Sequence, residues 1–200
     1  MSIHQLIFDV ETQKTFDDVG GYFPEKLGIS FVGAIERFGY PGEPEYHEIR
    51  HELFEADISK LFPILESVDC IVGFNSDGFD LPAISAYYSG NLKVLPSLDL
   101  LSQIKLAAGH RVSLDAVAEH TLGTRKTGHG LDAITWYQNG ELEKIRHYCM
   151  KDVEITRDLF DYGRVNGKVK FLNHWNNPVE ISVDFTPKVK SSTGTQLSLV

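Results

Sequence analysis

The chain has 200 residues, enough for one large domain or for a domain with a small appendage. Its net charge of −9 excludes a protein that coats nucleic acid through general phosphate contacts, because those contacts need an excess of lysine and arginine. No apolar run approaches the roughly 18 residues of a membrane-spanning helix, and residues 1–5 do not have the pattern of a signal peptide. Cys70 and Cys149 lie in apolar segments, which favours core thiols in a reducing compartment, so we expect a cytoplasmic protein.

The first half of the chain predicts a sheet. Four segments are typical of strands: the first, second and fourth are rich in Ile, Val or Phe, and the third alternates between polar and apolar residues. They are residues 3–10, 28–37, 45–53 and 70–74. The last of these is a continuous apolar run, typical of a central strand that is buried on both faces. Residues 56–66, between the third and fourth strands, have the apolar spacing of a helix.

The second half is predicted to be mainly helical. Helices are expected at residues 81–88, 98–108, 114–121, 131–137 and 141–163. Ser113 has the position of an N-terminal cap for the third of these helices, and Gly123 has that of a C-terminal cap. Two strands around a turn are expected at 169–173 and 179–185, which predicts a β-hairpin, and the Ser- and Thr-rich residues 187–200 predict a flexible tail.

Four acidic residues lie where an ordinary fold would have apolar ones. Asp9 and Glu11 end the first strand and share one of its faces, because side chains alternate along a strand. Asp80 closes the segment after the fourth strand, and Asp152 lies on the apolar side of the last long helix. Buried carboxylates are costly, and a divalent cation is the usual compensation. Carboxylates without a Cys or His cluster favour Mg²⁺ or Mn²⁺, and two such ions form a clamp for displacement at phosphorus.

Three motifs in this chain resemble those of the DEDD superfamily of 3′–5′ exonucleases. They read Asp9-Val10-Glu11-Thr12, Asn75-x₃-Phe79-Asp80 and Tyr148-x₃-Asp152. Each motif is weak alone, whereas three in this order are a strong joint signal, and the resemblance spans residues 3–163. It implies a ribonuclease-H-like fold, an α/β protein with a mixed five-stranded sheet and helices on both faces.

The resemblance also implies roles for individual residues. The ligands of two metal ions would be Asp9, Glu11, Asp80 and Asp152. Tyr148 would orient the attacking water, while one metal would lower the pKa of that water and the other would stabilise the leaving oxygen. The contacts to the terminal nucleotide would be Thr12, Asn75 and Phe79. The reaction would be hydrolysis at the single-stranded 3′ end of DNA or RNA, with release of nucleoside 5′-monophosphates.

The third motif is ambiguous, because the superfamily has a tyrosine branch, Tyr-x₃-Asp, and a histidine branch, His-x₄-Asp. Tyr148 satisfies the first pattern and His147 the second. On a continuous helix with about 100° per residue, Tyr148 lies about 40° from Asp152 and His147 about 140° from it. We therefore expect Tyr148 to face the site and His147 to face solvent. A helix that began only after Met150 would remove this distinction.

Several residues near the motifs have more than one interpretation. Residues 124–130 form a basic, glycine-containing loop, in which Arg125 and Lys126 suit contacts with the phosphate backbone of the substrate. The same two side chains equally suit the carbonyl groups at the end of the preceding helix. Asn75 also suits a turn after its strand, and Phe79 suits a core position. Asp99 is expected to lie at a helix N-terminus, with a weaker case for a role beside the site.

Two other functions remain open at this point. The first is a catalytically silent ribonuclease-H-like interaction module, although such modules usually lose a ligand and this chain keeps all four. The second is a phosphatase of the aspartyl-phosphate type, which requires an Asp where this chain has Glu11. We expect an exonuclease domain at residues 1–165, a hairpin packed on it at 166–186 and the tail at 187–200.

Overall fold

The computed structural model describes residues 2–124 and 130–189. Five of its strands form one sheet, in the order β3-β2-β1-β4-β5. They are β1 (His4–Thr12), β2 (Ile29–Phe38), β3 (His47–Phe54), β4 (Cys70–Gly73) and β5 (Ser97–Asp99). β1, β2 and β3 pair antiparallel, whereas β4 pairs parallel with both β1 and β5. The expected mixed five-stranded sheet is therefore confirmed.

Six α-helices accompany the sheet within the described residues. They are α1 (Phe62–Ser67), α2 (Asp80–Ile84), α3 (Leu100–Ala108), α4 (Leu114–Leu122), α5 (Gly130–Gln138) and α6 (Leu142–Asn166). Both predicted caps of α4 are present: the Ser113 side chain accepts a hydrogen bond from the Ala116 amide, and Gly123 has a positive φ of 72°. None of the described helices is long and apolar enough to cross a lipid bilayer.

Three of the predicted helices differ from the structure. Residues 98–108 were predicted as one helix, but 97–99 form β5 and the Asp99 side chain caps α3 by accepting a hydrogen bond from the Ser102 amide. A strand of three residues is too short to show alternation, and its pairing with β4 decides its conformation. Residues 56–66 divide into a 3₁₀ helix, Glu55–Lys60, and α1, whose first turn contains Pro63. Residues 81–88 likewise divide into α2 and a short 3₁₀ turn.

Helices cover both faces of the sheet, as expected. On one face, Ile7 and Ile35 belong to a buried cluster with Val153 of α6. On the other face, Leu6 belongs to a second buried cluster with Leu65 of α1. Because Asp9 and Glu11 follow Ile7 at intervals of two, they lie on the face that α6 covers. The fold thereby directs the acidic end of β1 towards the helix that carries Asp152.

The C-terminal hairpin consists of β6 (Lys168–Leu172) and β7 (Pro178–Ser182), which pair antiparallel in a separate sheet. Its presence was predicted and is confirmed. Val169 and Phe171 join the same buried cluster as α6. Phe185, beyond the hairpin, lies so close to Gly163 of α6 that a Cβ at this glycine would overlap its ring. Most of the predicted tail, residues 190–200, lies outside the described part of the chain.

Candidate active site

A cavity of about 700 Å³ opens at the C-terminal end of β1. The four carboxylates singled out in the sequence all line it. Asp9 and Glu11 come from β1, Asp80 is the first residue of α2, and Asp152 lies in the middle of α6. Residues that are up to 143 positions apart in the chain, from Asp9 to Asp152, thus meet in one place.

The parallel pairing of β1 with β4 explains how Asp80 reaches the site. Parallel strands have their carboxyl ends at the same edge of a sheet, so the turn that follows β4 meets the end of β1. The Val10 amide donates a hydrogen bond of 3.0 Å to Oδ1 of Asp80. This bond attaches the start of α2 to β1 and fixes one carboxylate oxygen of Asp80.

Three of the four carboxylates are withdrawn from water, and Asp9 is partly buried. Asp80 is 3% exposed, Asp152 4% and Glu11 7%. Burial raises the pKa of Asp80 well above its ordinary value, and the neighbouring Asp9 raises it further, whereas the hydrogen bond from Val10 acts in the opposite direction. Buried carboxylates that lie close together repel one another when they are ionised, which costs free energy. A bound cation would offset this cost.

The donor atoms of the site fit hard divalent cations. A carboxylate oxygen of Asp9, one of Glu11 and the Cys149 Sγ all lie within 4.8 Å of one another. Burial raises the pKa of the Cys149 thiol well above its ordinary value, and the charges of Asp9 and Glu11 raise it further. Its Sγ donates towards the Asp9 main-chain oxygen at 3.4 Å. The four carboxylates offer oxygen ligands, the donors that Mg²⁺ and Mn²⁺ prefer.

Tyr148 and His147 occupy different environments. The helix α6 begins at Leu142 and is continuous through both residues. Tyr148 is 5% exposed, lines the cavity and makes an edge-to-face contact with Trp136 at a centroid distance of 5.8 Å. His147 is exposed, and its Nδ1 lies 2.7 Å from the main-chain oxygen of Glu143. The structure thus places Tyr148 in the cavity wall and His147 on the solvent side of the helix.

Asn75 lies in a turn that Asp99 organises. Its φ of 72° is in the left-handed region, which Asn tolerates better than most residues. The Asp99 carboxylate accepts hydrogen bonds from the Asn75 amide at 2.8 Å and from the Asp77 amide at 3.3 Å. Asp99 therefore supports the second motif from outside the cavity in addition to capping α3. Asp77 does not line the cavity.

The three expected nucleotide contacts, Thr12, Asn75 and Phe79, also line the cavity. Thr12 is 7% exposed, and its hydroxyl donates a hydrogen bond to the Lys14 main-chain oxygen at 3.2 Å. The basic-loop residues Arg125 and Lys126 lie outside the described residues.

Sequence reasoning missed several cavity residues that suit substrate binding. Arg111 lies before α4, and its Nη1 donates a hydrogen bond of 3.0 Å to Oδ1 of Asn75. Lys14 and Phe16, from the connection between β1 and β2, line the same cavity. A lone arginine and a loop without regular spacing carry no motif. For Lys14 and Phe16, the only signal in the sequence was that a cation and an aromatic residue follow the first motif closely. For Arg111 there was no such signal.

Comparison with known proteins gives one family match and a likeness of fold. The family model RNase_H_2, described as RNase_H superfamily, matches residues 6–163. Among solved structures, the family B DNA polymerase from the hyperthermophilic archaeon Pyrobaculum calidifontis is similar, with a TM-score of 0.56 and 19% sequence identity. The likeness covers 80% of this chain and 24% of the polymerase chain, so this chain spans only a minor part of that protein. No curated protein matches.

Proposed function

The chain belongs to the RNase H superfamily, and on this basis we propose that it is a metal-dependent 3′–5′ exonuclease. The ribonuclease-H-like fold expected from the motifs is confirmed by the family match. One observation carries the proposal of activity: Asp9, Glu11, Asp80 and Asp152 line a single cavity together with Tyr148. The substrate is the 3′ end of a nucleic acid, and the products are nucleoside 5′-monophosphates.

The four carboxylates are the proposed ligands of two divalent ions, Mg²⁺ or Mn²⁺. When bound, the ions supply the charge that activates a water molecule and stabilises the leaving oxygen of an in-line displacement. Two of these carboxylates are already fixed in position before a metal ion binds. Asp80 accepts a hydrogen bond from the Val10 amide, and Asp152 lies within a long helix that packs on the sheet. Pre-positioned ligands of this kind favour productive geometry.

Tyr148 is proposed to orient the attacking water, which assigns the chain to the tyrosine branch. Its ring is almost fully buried and packs against Trp136, so few orientations are open to it. The solvent-facing position of His147 on the same helix argues against the histidine branch. A catalytic base must lie within hydrogen-bond reach of the reacting group. His147 does not line the cavity, so it does not meet this requirement.

The volume of the cavity and the charge of the chain indicate how the substrate binds. A volume of about 700 Å³ lies within the usual range of ligand cavities and accommodates the end of a strand. Lys14 and Arg111 are cations in the wall of this cavity and suit phosphate contacts. With a net charge of −9, the chain offers little general attraction for a long polyanion, so we propose a short, metal-dependent footprint on a single-stranded end. The likeness to a DNA polymerase supports DNA as one candidate substrate.

A panel of end-labelled substrates tests this function. Single- and double-stranded DNA and RNA, labelled at the 5′ end, are incubated with Mg²⁺, with Mn²⁺ or with EDTA. We expect a ladder of products that shorten one nucleotide at a time from the 3′ end, with Mg²⁺ or Mn²⁺ but not with EDTA. Asp152→Asn provides the inactive control. Cleavage that persists in EDTA, or that persists at the wild-type rate in Asp152→Asn, would reject the proposal.

A further inference from the structure

Cys149 brings a sulfur donor to the end of β1, beside the first two carboxylates of the site. Its Sγ, one oxygen of Asp9 and one oxygen of Glu11 all lie within 4.8 Å of one another. Cys149 is fully buried and Glu11 is 7% exposed, so the packed interior of the protein holds both side chains in place. The two-ion mechanism proposed above uses the carboxylates of this group and leaves its sulfur without a role.

The packing of α6 on the sheet fixes the sulfur next to Asp9. Cys149 lies three residues before Asp152 in α6, so the two side chains are neighbours on one side of the helix. Gly33 of β2 pairs with Asp9, and a Cβ at this glycine would lie 3.1 Å from the Cys149 Sγ. Because Gly33 has no side chain, the sulfur can approach the sheet, where it lies 3.4 Å from the Asp9 main-chain oxygen. The thiol thus lies at the base of the carboxylate cluster.

The distance between the sulfur and the Asp9 carboxylate matches one edge of a tetrahedral zinc site. Zinc binds sulfur at about 2.3 Å and carboxylate oxygen at about 2.1 Å, so a tetrahedral angle separates the two donors by about 3.6 Å. The Cys149 Sγ lies 3.5 Å from Oδ2 of Asp9. Mg²⁺ prefers octahedral oxygen ligands and gains little from a sulfur. The donor set therefore distinguishes a thiophilic ion from a hard one.

We propose that Cys149 makes this metal site selective for thiophilic ions, so that Zn²⁺ binds to Asp9, Glu11 and Cys149 and inhibits the enzyme. This inference rests on the proposed exonuclease function and adds regulation by a metal ion to the same site. On binding, a sulfur–zinc bond replaces the S–H bond, the thiol proton passes to solvent and no electron is transferred. The charge of the ion stabilises the thiolate beside the two carboxylates.

Inhibition follows from the number of carboxylates that zinc would occupy. The proposed reaction needs two ions, which share four carboxylates. A zinc ion held by Asp9, Glu11 and Cys149 takes two of these four and keeps one open position in a tetrahedral site. The two catalytic ions then lack part of their ligand set. We therefore expect Zn²⁺ to compete with Mg²⁺ and to lower the rate.

Ultraviolet absorption of the cadmium-loaded protein tests the sulfur contact directly. Cd²⁺ is thiophilic, and its bond to a thiolate gives a charge-transfer band that oxygen ligands do not give. Cys70→Val leaves Cys149 as the only cysteine of the chain and does not alter the metal site. We expect equal bands in wild type and Cys70→Val, and no band in Cys149→Ala. A Cys70→Val protein that is folded and shows no band would overturn the proposal.

The ratio of zinc affinity to manganese affinity tests the selectivity. Both Kd values are measured by competition with a chromophoric chelator on wild type, Cys70→Val and Cys149→Ser, and thermal melting confirms that each protein is folded. Cys149→Ser replaces sulfur by oxygen, so we expect the ratio to fall at least about tenfold, as for other damaged metal sites. Cys70→Val should keep the wild-type ratio. A purely structural role of Cys149 would weaken both ions alike, and an unchanged ratio in Cys149→Ser would therefore reject the selectivity.

The outcomes separate this inference from the proposed function. If wild type degrades 3′ ends with Mg²⁺ but shows no cadmium band, the role of Cys149 is wrong and the exonuclease remains. If the band depends on Cys149 and no substrate is cleaved with Mg²⁺ or Mn²⁺, the exonuclease is wrong and the thiophilic metal site remains. If the band persists in Cys149→Ala, the ion binds elsewhere and the inference is rejected whatever the cleavage result.

Discussion

The Val10 amide donates a 3.0 Å hydrogen bond to Oδ1 of Asp80, 70 residues further along the chain. This single bond connects the first motif, on β1, to the second motif, at the start of α2. It also gives Asp80 two separable roles, because one carboxylate oxygen supports the fold while the negative charge suits a metal ion. A substitution that keeps the oxygen but removes the charge distinguishes the two roles.

Asp80→Asn should fold and should lose metal binding. The side-chain amide oxygen still accepts the bond from Val10, and removal of a buried charge does not destabilise the metal-free protein. Saturating Mn²⁺ should stabilise wild type by about 2–3 kcal/mol at a hundredfold excess over Kd, and should leave Asp80→Asn unchanged. Turnover should fall about 10²-fold or more. Thermal melting and initial rates check both outcomes.

Asp77→Asn is the matched control for Asp80→Asn, because Asp77 lies in the same turn but outside the cavity. The Ser97 hydroxyl, which donates to Asp77 Oδ1 at 2.6 Å, retains an acceptor in this variant. We expect Asp77→Asn to keep the stabilisation by Mn²⁺. Equal losses in both variants would mean that the turn, and not the carboxylate of Asp80, is responsible.

Tyr148→Phe should lower the rate by about 10²-fold or more, within the range for loss of a group that positions a proton transfer. Metal-dependent stabilisation should remain, since the change removes no proposed ligand. His147→Ala should change the rate by less than about threefold, because His147 is exposed and does not line the cavity. Steady-state kinetics of the two variants check this pair. A larger loss in His147→Ala than in Tyr148→Phe would contradict the tyrosine branch.

Arg111→Ala should weaken substrate binding. Its guanidinium bonds to Asn75 Oδ1 and lines the cavity, so we expect it to contact a phosphate. Loss of one such contact should reduce the slope of log Kd against log salt by about 1. Arg50→Ala is the control, because Arg50 pairs with Glu154 at 2.6 Å and does not line the cavity. If the salt slope of Arg111→Ala is unchanged, Arg111 does not contact a phosphate, and its role is limited to the hydrogen bond with Asn75.

Gly33→Val should damage both stability and activity. A Cβ at Gly33 would lie 2.9 Å from Met150 Sδ and 3.1 Å from Cys149 Sγ, so these side chains of α6, or the helix itself, must shift. Overpacking of this kind costs about 1–3 kcal/mol. Because α6 also carries Tyr148 and Asp152, we expect turnover to fall even at temperatures where the variant is fully folded. Urea unfolding and kinetics on the same sample check this; normal turnover would mean that the helix accommodates the side chain without moving.

Cys70 should make the protein sensitive to alkaline pH. Burial raises the pKa of its thiol from 9.0 to about 12, with smaller contributions from Asp69 and Asp77. The contribution of the buried neutral thiol is fully present below pH 9 and is lost as the pH rises towards 12, because the unfolded chain gives up the proton first. The loss should be about 1.4 kcal/mol per pH unit. The free energy of unfolding is measured by urea unfolding under reducing conditions at pH 8 and at pH 10.5. Between these two values, Cys70→Val should lose less of it than wild type does.

The sequence indicated the carboxylates and the sheet for a clear physical reason. Buried charges interrupt apolar patterns, so Asp9 and Asp152 were visible against their neighbours, and alternation fixed the face of β1 on which Asp9 lies. The helix phase also placed Tyr148 correctly in the cavity wall. These features depend on residues close together in the chain.

Other parts of the molecule depend on contacts between distant residues, which local patterns do not encode. β5 is a strand only because it pairs with β4, and its three residues otherwise continue the pattern of α3. Arg111 reaches the site through a bond to Asn75, 36 residues earlier in the chain. Phe16 reaches it through stacking on Tyr22 and an edge contact with Phe79. None of these relationships has a characteristic spacing.

Product analysis in water enriched with ¹⁸O tests the central claim most directly. An oligonucleotide with different first and last nucleotides is digested with Mn²⁺, and the earliest products are identified by mass spectrometry. We predict that the 3′-terminal nucleotide is released first, as a 5′-monophosphate that carries one ¹⁸O atom in its phosphate group. Earliest products that come from the 5′ end or from internal cleavage, or that carry a 3′-phosphate, would contradict a 3′–5′ exonuclease that uses water as its nucleophile.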